Sequence, residues 1–169
     1  MEIIKLYFDD KILDEAIATS KRIGTLNNSF TGGKSQWVGL LGEYAVKYRY
    51  KYLLSDTENI YNNDLTILGK KIEVKSKLHQ FQLQDNFEWS IAQTSLHQKP
   101  DQYFFVSVQH AKNNENDILN IWLAGYITPK DFFDKAVFYK KGTQHSNGFV
   151  SPVNHYNIFQ NELNSFINV

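Results

Sequence analysis

The 169-residue chain has no cysteine, which excludes disulfide scaffolds, thiolate zinc sites and cysteine nucleophiles. It has no apolar run near the roughly 20 residues that span a bilayer. Its first residues also lack the basic region and long apolar stretch of a secretory signal. From these absences and the length, we expect one cytoplasmic domain covering residues 1–169, without a membrane segment.

Arginine is scarce, since only Arg22 and Arg49 occur, and the net charge is zero. Arginine is the usual bidentate reader of guanine, so little direct base readout is expected. An AT-rich genome would equally explain the missing arginines. A zero net charge also counts mildly against a strong nucleic-acid binder. Four lysines nevertheless cluster in one short stretch, where lysine can act as a point charge for phosphates: Lys70, Lys71, Lys75 and Lys77.

Helical patterns occur in several segments. Asp9 or Asp10 is placed to cap a first helix that runs to about residue 22, with Ile12, Leu13, Ala16, Ile17 and Ile23 as its apolar face. Residues 24–36 read as a loop, and residues 37–54 as a second helix with an apolar stripe of Val38, Leu41, Ala45, Tyr48 and Tyr52. Shorter helices are expected at 93–99, after Thr128-Pro129, and from about His155 to the end.

Strand patterns fill the middle of the chain. Residues 64–68 and 70–77 alternate apolar and polar side chains around Gly69, which predicts a hairpin. Further strands are expected at 87–91, 103–108 and 118–127, the middle one buried on both faces. With 42% hydrophobic and 15% aromatic residues, the chain can build a core. The predicted fold is α/β, a mixed central β-sheet flanked by helices, with a core at about 37–127 and helical additions at both ends.

The hairpin carries the chemistry. A turn at Leu68-Gly69 pairs Asp64 with Glu73, and it places Leu65, Ile67, Ile72 and Val74 together on an apolar face. The Cβ atoms of Asp64 and Glu73 would then lie about 5 Å apart. Two facing carboxylates repel each other, and a hard divalent cation such as Mg²⁺ would relieve that repulsion. Lys75 emerges on the same face, where its ammonium can act on an attacking water or a phosphate.

Asp64, eight intervening residues and Glu73-Val74-Lys75 resemble the PD-(D/E)XK nuclease motif. The preceding segment Gly39-Leu40-Leu41-Gly42-Glu43 resembles the helix that supplies another acidic residue in many family members. Asn63 stands where the motif is named for proline. The resemblance covers roughly residues 39–77 by motif, and the order of helix, hairpin, helix and strand agrees with the family core out to Val108.

The resemblance implies a restriction-endonuclease-like core and a metal-dependent nuclease. Asp64 and Glu73, with Glu43, would bind Mg²⁺ or Mn²⁺, and Lys75 would assist catalysis. Some family members place a glutamine after the catalytic strands, which makes Gln93 a candidate accessory residue. DNA is the expected substrate, with RNA not excluded, and a homodimer is compatible with the family. Candidate nucleic-acid contacts are Lys34, Lys70, Lys71 and Lys77.

Other interpretations stay open. The rival is a non-catalytic module with a nuclease-like fold that binds nucleic acid or protein, and the third possibility is an unrelated α/β interaction protein. Glu43 would pair with Lys47 on an exposed helix face, Asp64 would cap a turn, and Lys75 would be an edge-strand charge. Gly32-Gly33-Lys34-Ser35 lacks the first glycine of a phosphate loop and an apolar strand before it, which argues against nucleotide binding.

Overall fold

The computed structural model of the protein describes residues 3–23, 36–53, 64–145 and 148–166. Its strands are β1 (Ile4–Leu6), β2 (Leu65–Ile67), β3 (Lys70–His79), β4 (Glu88–Ala92), β5 (Gln102–Ala111), β6 (Asn114–Ile127), β7 (Val137–Tyr139) and β8 (His155–Phe159). Its helices are α1 (Asp10–Ile23), α2 (Gln36–Arg49) and α3 (Pro129–Lys135). None of these helices is long and apolar enough to cross a membrane.

A five-stranded mixed sheet forms the centre, in the order β1-β6-β5-β3-β2. Only the β3–β5 pair is parallel. The predicted α/β class with a mixed central sheet is therefore confirmed. Strand β5 is buried on both faces, as its continuous apolar pattern predicts: Phe104, Val106 and Val108 join one core, and Tyr103 and Phe105 join the other.

The first core lies between the central sheet and the helices α1 and α2. Asp9 caps α1, because its Oδ1 accepts a hydrogen bond of 2.9 Å from the Ile12 N–H. The predicted start of this helix is confirmed, but Ile23 is 49% exposed and does not belong to the apolar face. Similarly, α2 ends at Arg49, and Tyr48 and Tyr52 are exposed, so the predicted apolar stripe is wrong beyond Ala45.

The second core lies beneath a small antiparallel sheet in the order β4-β8-β7, together with α3. Thr128 caps α3 as predicted, because its Oγ1 accepts a hydrogen bond from the Asp131 N–H. The predicted closing helix is wrong, because residues from His155 form β8 and then a short 3₁₀ turn at Gln160–Glu162. The C-terminal addition to the domain is therefore mainly sheet.

The connection between the parallel strands β3 and β5 also differs from the prediction. A helix was expected at 93–99, whereas the chain forms only a 3₁₀ turn at Gln93–Ser95. The crossover is carried by β4, which belongs to the small sheet. The predicted loop at 24–36 lies almost wholly outside the described residues, and Lys34 with it.

Candidate active site

The β2–β3 hairpin has three of the four predicted pairs: Leu65 with Ile72, Thr66 with Lys71, and Ile67 with Lys70. The fourth predicted pair, Asp64 with Glu73, is not part of the ladder, because β2 begins at Leu65. Leu68 and Gly69 form the turn with φ angles of 50° and 76°, the left-handed conformations that a tight two-residue hairpin turn requires. The apolar face of Leu65, Ile67, Ile72 and Val74 is buried in the first core. Strand alternation therefore directs Glu73 and Lys75 to the opposite face.

Asp64, at the open end of the hairpin, is hydrogen-bonded to β3 through both its main chain and its side chain. Its N–H donates to the Ile72 carbonyl at 3.1 Å, and its Oδ2 accepts a hydrogen bond of 2.7 Å from the Val74 N–H. Because Leu65 and Ile72 are paired, Val74 is the next residue of β3 whose N–H points to the side of the strand on which β2 lies. The carboxylate thus takes the place of a main-chain acceptor, which fixes Asp64 beside Glu73.

Glu73 is 2% exposed and contacts Lys75. The Lys75 Nζ lies 2.6 Å from the Glu73 Oε1. The second oxygen, Oε2, is buried without a hydrogen-bond partner among the described residues. A buried carboxylate oxygen without a partner is costly, and such groups in folded proteins usually mark an ion, a water or a catalytic role.

Helix α2 brings Glu43 to this edge through a close approach at Gly42. A Cβ at Gly42 would overlap the Ser76 Oγ and would lie 3.1 Å from the Ser76 Cβ. Only a glycine allows the helix backbone to pack so tightly against β3. Glu43 is the next residue of α2. The close packing of Gly42 on β3 therefore also brings the Glu43 backbone close to β3.

Two of the carboxyl groups, Asp64 and Glu43, have raised pKa values. Burial, then the neighbouring Glu73 charge, raise the pKa of Asp64 to about 7, against the opposing effects of Lys75 and the Val74 N–H. Burial likewise raises the pKa of Glu43 well above its ordinary value, with Asp64 and Glu73 adding to the effect and Lys75 and Lys47 opposing it. The structure therefore brings the four predicted residues within electrostatic reach of one another.

Two residues of the site were missed by the sequence analysis. The Gln98 Oε1 lies 3.4 Å from the Lys75 Nζ, at the long end of the hydrogen-bond range. Tyr103 is the partner of Glu73 across the β3–β5 pair, and burial, followed by the Glu73 charge, raises the pKa of its hydroxyl to about 12. Tyr103 lies in a recognisable buried strand, whereas Gln98 lies in irregular chain that no pattern identifies.

Gln93, the predicted accessory residue, forms hydrogen bonds with Asn154 and not with the carboxylate site. Its Oε1 accepts a hydrogen bond of 2.8 Å from the Asn154 Nδ2, and its N–H donates to the Asn154 carbonyl. These contacts tie the 3₁₀ turn to the segment before β8. The glutamine that contacts the site is Gln98, five residues later.

The candidate nucleic-acid lysines divide into two kinds. Lys70 and Lys71 are exposed on the hairpin. Lys77 donates from Nζ to the Glu88 carbonyl at 2.7 Å and lies 4.9 Å from the centre of the Phe87 ring. The Lys77 ammonium therefore stabilises the contact between β3 and β4, while Lys70 and Lys71 present their charges to solvent.

The donor chemistry of the site fits a hard divalent cation. Asp64, Glu73 and Glu43 supply only carboxylate oxygens, which Mg²⁺ and Mn²⁺ prefer. Within the described residues, no three acidic or histidine side chains are already arranged around one point to hold a metal ion. The structure thus presents crowded carboxylates with a lysine on one of them, and binding a cation would require their side chains to reorient.

Comparison with family models, curated proteins and solved structures finds no match to this chain. Any proposal of a family therefore depends on the motif and on the geometry of the site.

Proposed function

We propose that this chain is a metal-dependent nuclease that hydrolyses phosphodiester bonds of DNA, with a PD-(D/E)XK site on a restriction-endonuclease-like core. One observation carries the proposal. The buried Glu73 has an oxygen without a partner among the described residues, beside Asp64 and Glu43, whose pKa values are raised by burial first and then by neighbouring carboxylates. A protein gains no stability from such an arrangement, so a ligand of opposite charge is the simplest reason for it.

Asp64 and Glu73, supported by Glu43, would hold Mg²⁺ or Mn²⁺. When bound, the cation would supply positive charge at the phosphate and a more acidic water. The chain's own contribution is made by Lys75. Its side chain is 22% exposed, so the ammonium would be able to leave Glu73 and reach a water or a phosphate oxygen from its place in β3. Gln98 is a positioning residue, because its carbonyl oxygen faces the Lys75 Nζ.

The alternative is a nuclease-like fold that binds nucleic acid or protein without cutting. Three observations favour it. Lys75 neutralises the Glu73 Oε1 at 2.6 Å, and no ready-made group of metal ligands occurs in the part of the chain that the structure describes. The crossover through β4, where the family resemblance predicts a helix, is a departure from the expected core.

A nuclease assay separates the two functions. The protein is incubated with single-stranded, duplex and nicked DNA and with RNA, in Mg²⁺, Mn²⁺ or EDTA. We expect cleavage of DNA with either metal and none with EDTA, and we expect Asp64→Asn to remove it. Asp117→Asn is the matched control, because Asp117 is an exposed residue of β6 and should cut normally. Cleavage by Asp64→Asn at the wild-type rate, or none by the wild type with any metal, would overturn the proposal.

A further inference from the structure

Four side chains form a continuous exposed row that the proposed site does not use. Tyr7 contacts Tyr48, with ring centres 4.8 Å apart. The Lys51 Nζ lies 5.2 Å from the centre of the Tyr48 ring and 4.8 Å from that of Tyr52. We call Tyr7, Tyr48, Lys51 and Tyr52 the tyrosine row. It is assembled from two distant parts of the sequence, before α1 and at the end of α2.

The rings of the tyrosine row are open to solvent. Tyr52 is 87% exposed, Tyr7 53% and Tyr48 45%. By contrast, Trp89 is 1% exposed and belongs to the second core. Three neighbouring exposed rings do not contribute much to a core, and aromatic side chains grouped on a surface commonly mark a binding site.

The row follows the proposed site along the same helix. Tyr48 is five residues after Glu43 on α2, which is a rise of about 7.5 Å and a rotation of about 140° around the helix axis. Lys51 and Tyr52 come just past the last helical residue, Arg49. A strand bound at the carboxylates would reach the row within a few nucleotides by passing around α2 as well as along it.

The chemistry of the row fits unpaired bases joined by phosphates. Every base has a flat face that stacks on an aromatic ring, but in a duplex those faces are covered by neighbouring base pairs. The Lys51 ammonium between two rings supplies positive charge where a phosphate would lie between two stacked bases. An acidic residue, Asp9, contacts the row at the Tyr7 end, where its Oδ2 accepts a hydrogen bond of 3.1 Å from the Tyr7 hydroxyl.

We propose that the tyrosine row binds single-stranded nucleic acid and leads an unpaired strand to the carboxylates. This inference depends on the proposed function for its substrate, and it specifies that substrate as a single strand or the unpaired flap of a branched DNA. Tyr52 and Tyr48 stack on successive bases, and Lys51 contacts the phosphate between them.

Binding in EDTA tests the inference without cleavage. The probe is a fluorescein-labelled oligothymidylate of about 15 nucleotides, with the same strand in a duplex as competitor. We expect the single strand to bind more tightly than the duplex. Tyr52→Ala should weaken its binding by roughly 5- to 100-fold, the effect of losing one base–ring stack. Tyr52→Phe should bind normally, and Lys51→Gln should reduce the salt dependence by about one phosphate contact.

Phe81→Ala is the matched control, because Phe81 is another strongly exposed ring, 72% exposed, beyond the end of β3. It should bind like the wild type. Wild-type binding that does not prefer the single strand, or equal affinities of Tyr52→Ala and wild type, would overturn the inference and leave the row as a surface for a protein partner. Metal-dependent cleavage of duplex DNA with no effect of Tyr52→Ala would reject the row while the proposed function stands. Single-strand binding that Tyr52→Ala weakens, in a protein that cleaves no nucleic acid, would support the row and reject the proposed function.

Discussion

Two buried polar side chains of nearly the same size have opposite surroundings. Gln160, 1% exposed, accepts a hydrogen bond of 2.6 Å from the Trp89 Nε1 and donates one of 2.8 Å to the Ala124 carbonyl. Glu73, 2% exposed, contacts Lys75 with one oxygen and leaves the other without a partner. Gln160 links the two sheets with both polar atoms satisfied, whereas Glu73 buries a charge with one oxygen unsatisfied, an arrangement that ordinarily costs stability. This is the difference that we expect between a residue that stabilises the fold and one of the proposed site.

Removing Lys75 should produce the largest change in function. In Lys75→Ala we expect cleavage to fall roughly 100- to 10,000-fold at saturating enzyme, the usual effect of losing general acid–base assistance. The variant should still fold but with lower stability, because the Glu73 Oε1 loses its ion pair with the partly exposed Lys75. The measurement is single-turnover cleavage, with DNA affinity determined separately in Ca²⁺.

Lys71→Ala is the control for Lys75, since Lys71 is an exposed lysine of the same strand. It should mainly weaken DNA binding and reduce the salt dependence. A Lys75→Ala protein that cuts at the wild-type rate once bound would reduce Lys75 to a binding residue.

Exchanging the amide of Gln160 for a carboxylate, and the carboxylate of Glu73 for an amide, should have different effects on stability. Gln160→Glu replaces the amide that donates to Ala124 with a buried charge, and it should cost roughly 2–4 kcal/mol of unfolding free energy. Glu73→Gln removes a buried charge and should leave the stability of the metal-free protein unchanged or higher. Urea unfolding in EDTA measures both. If Glu73→Gln were as destabilising as Gln160→Glu, Glu73 would be a structural residue and the contrast would fail.

The crowding at Glu73 depends on the close approach of α2, which two glycines can test. Gly42→Ala should cost roughly 1–3 kcal/mol, because the added Cβ overlaps Ser76, and it should lower activity by moving Glu43 away from β3. Gly39→Ala is the control in the same helix. Nothing lies within 4 Å of its added Cβ, so it should gain about 0.5–1 kcal/mol and keep full activity. Equal effects of the two substitutions would show that the close approach is unimportant.

The smallest expected effect concerns pH. The pKa of Asp64 is about 7 in the folded protein against an ordinary value of 3.8, so the folded state holds an extra proton between these pH values. By linkage, this group makes the metal-free protein less stable as pH rises from about 4 to about 7, and the loss persists above that. Asp64→Asn cannot titrate. Since Asp64 is partly exposed, we expect the variant to exceed the wild type by roughly 1–2 kcal/mol at pH 8 in EDTA.

The melting temperatures of both proteins between pH 4 and pH 8 give this difference. A gap that stays constant over that range would mean that Asp64 does not titrate in the folded protein as its surroundings suggest.

The sequence predicts the hairpin well, because its information is local. Alternation of side chains fixes the faces, and Leu68-Gly69 fixes the register, so the positions of Asp64, Glu73 and Lys75 follow from a dozen residues. Strand β8 was predicted as a helix for the opposite reason. It buries the polar residues His155 and Asn157 while Phe159 is exposed, so its pattern does not read as a strand. Its pairing with β4 joins residues that are 63 to 71 positions apart in the sequence, which no local pattern records.

Only the site residues that lie on or next to regular helices and strands could be predicted from the sequence. Glu43 follows from its place on α2, but the reason for Gly42 appears only when Ser76 is placed against it. Gln98 contacts Lys75 from irregular chain, and the helix that would have directed Gln93 to the site is only a 3₁₀ turn. Periodicity cannot assign a side chain that reaches a site from such a segment.

The most direct test of the account is whether a divalent cation stabilises the crowded carboxylates. The melting temperature is measured at pH 8, where Asp64 is mostly ionised, in EDTA and in increasing Mn²⁺ or Mg²⁺. We predict a rise in the wild type, equivalent to about 2.7 kcal/mol when the metal is at 100 times its dissociation constant, and little or no rise in Asp64→Asn. An equal rise in both proteins, or none in the wild type, would contradict the claim that Asp64, Glu73 and Glu43 form a metal-binding site.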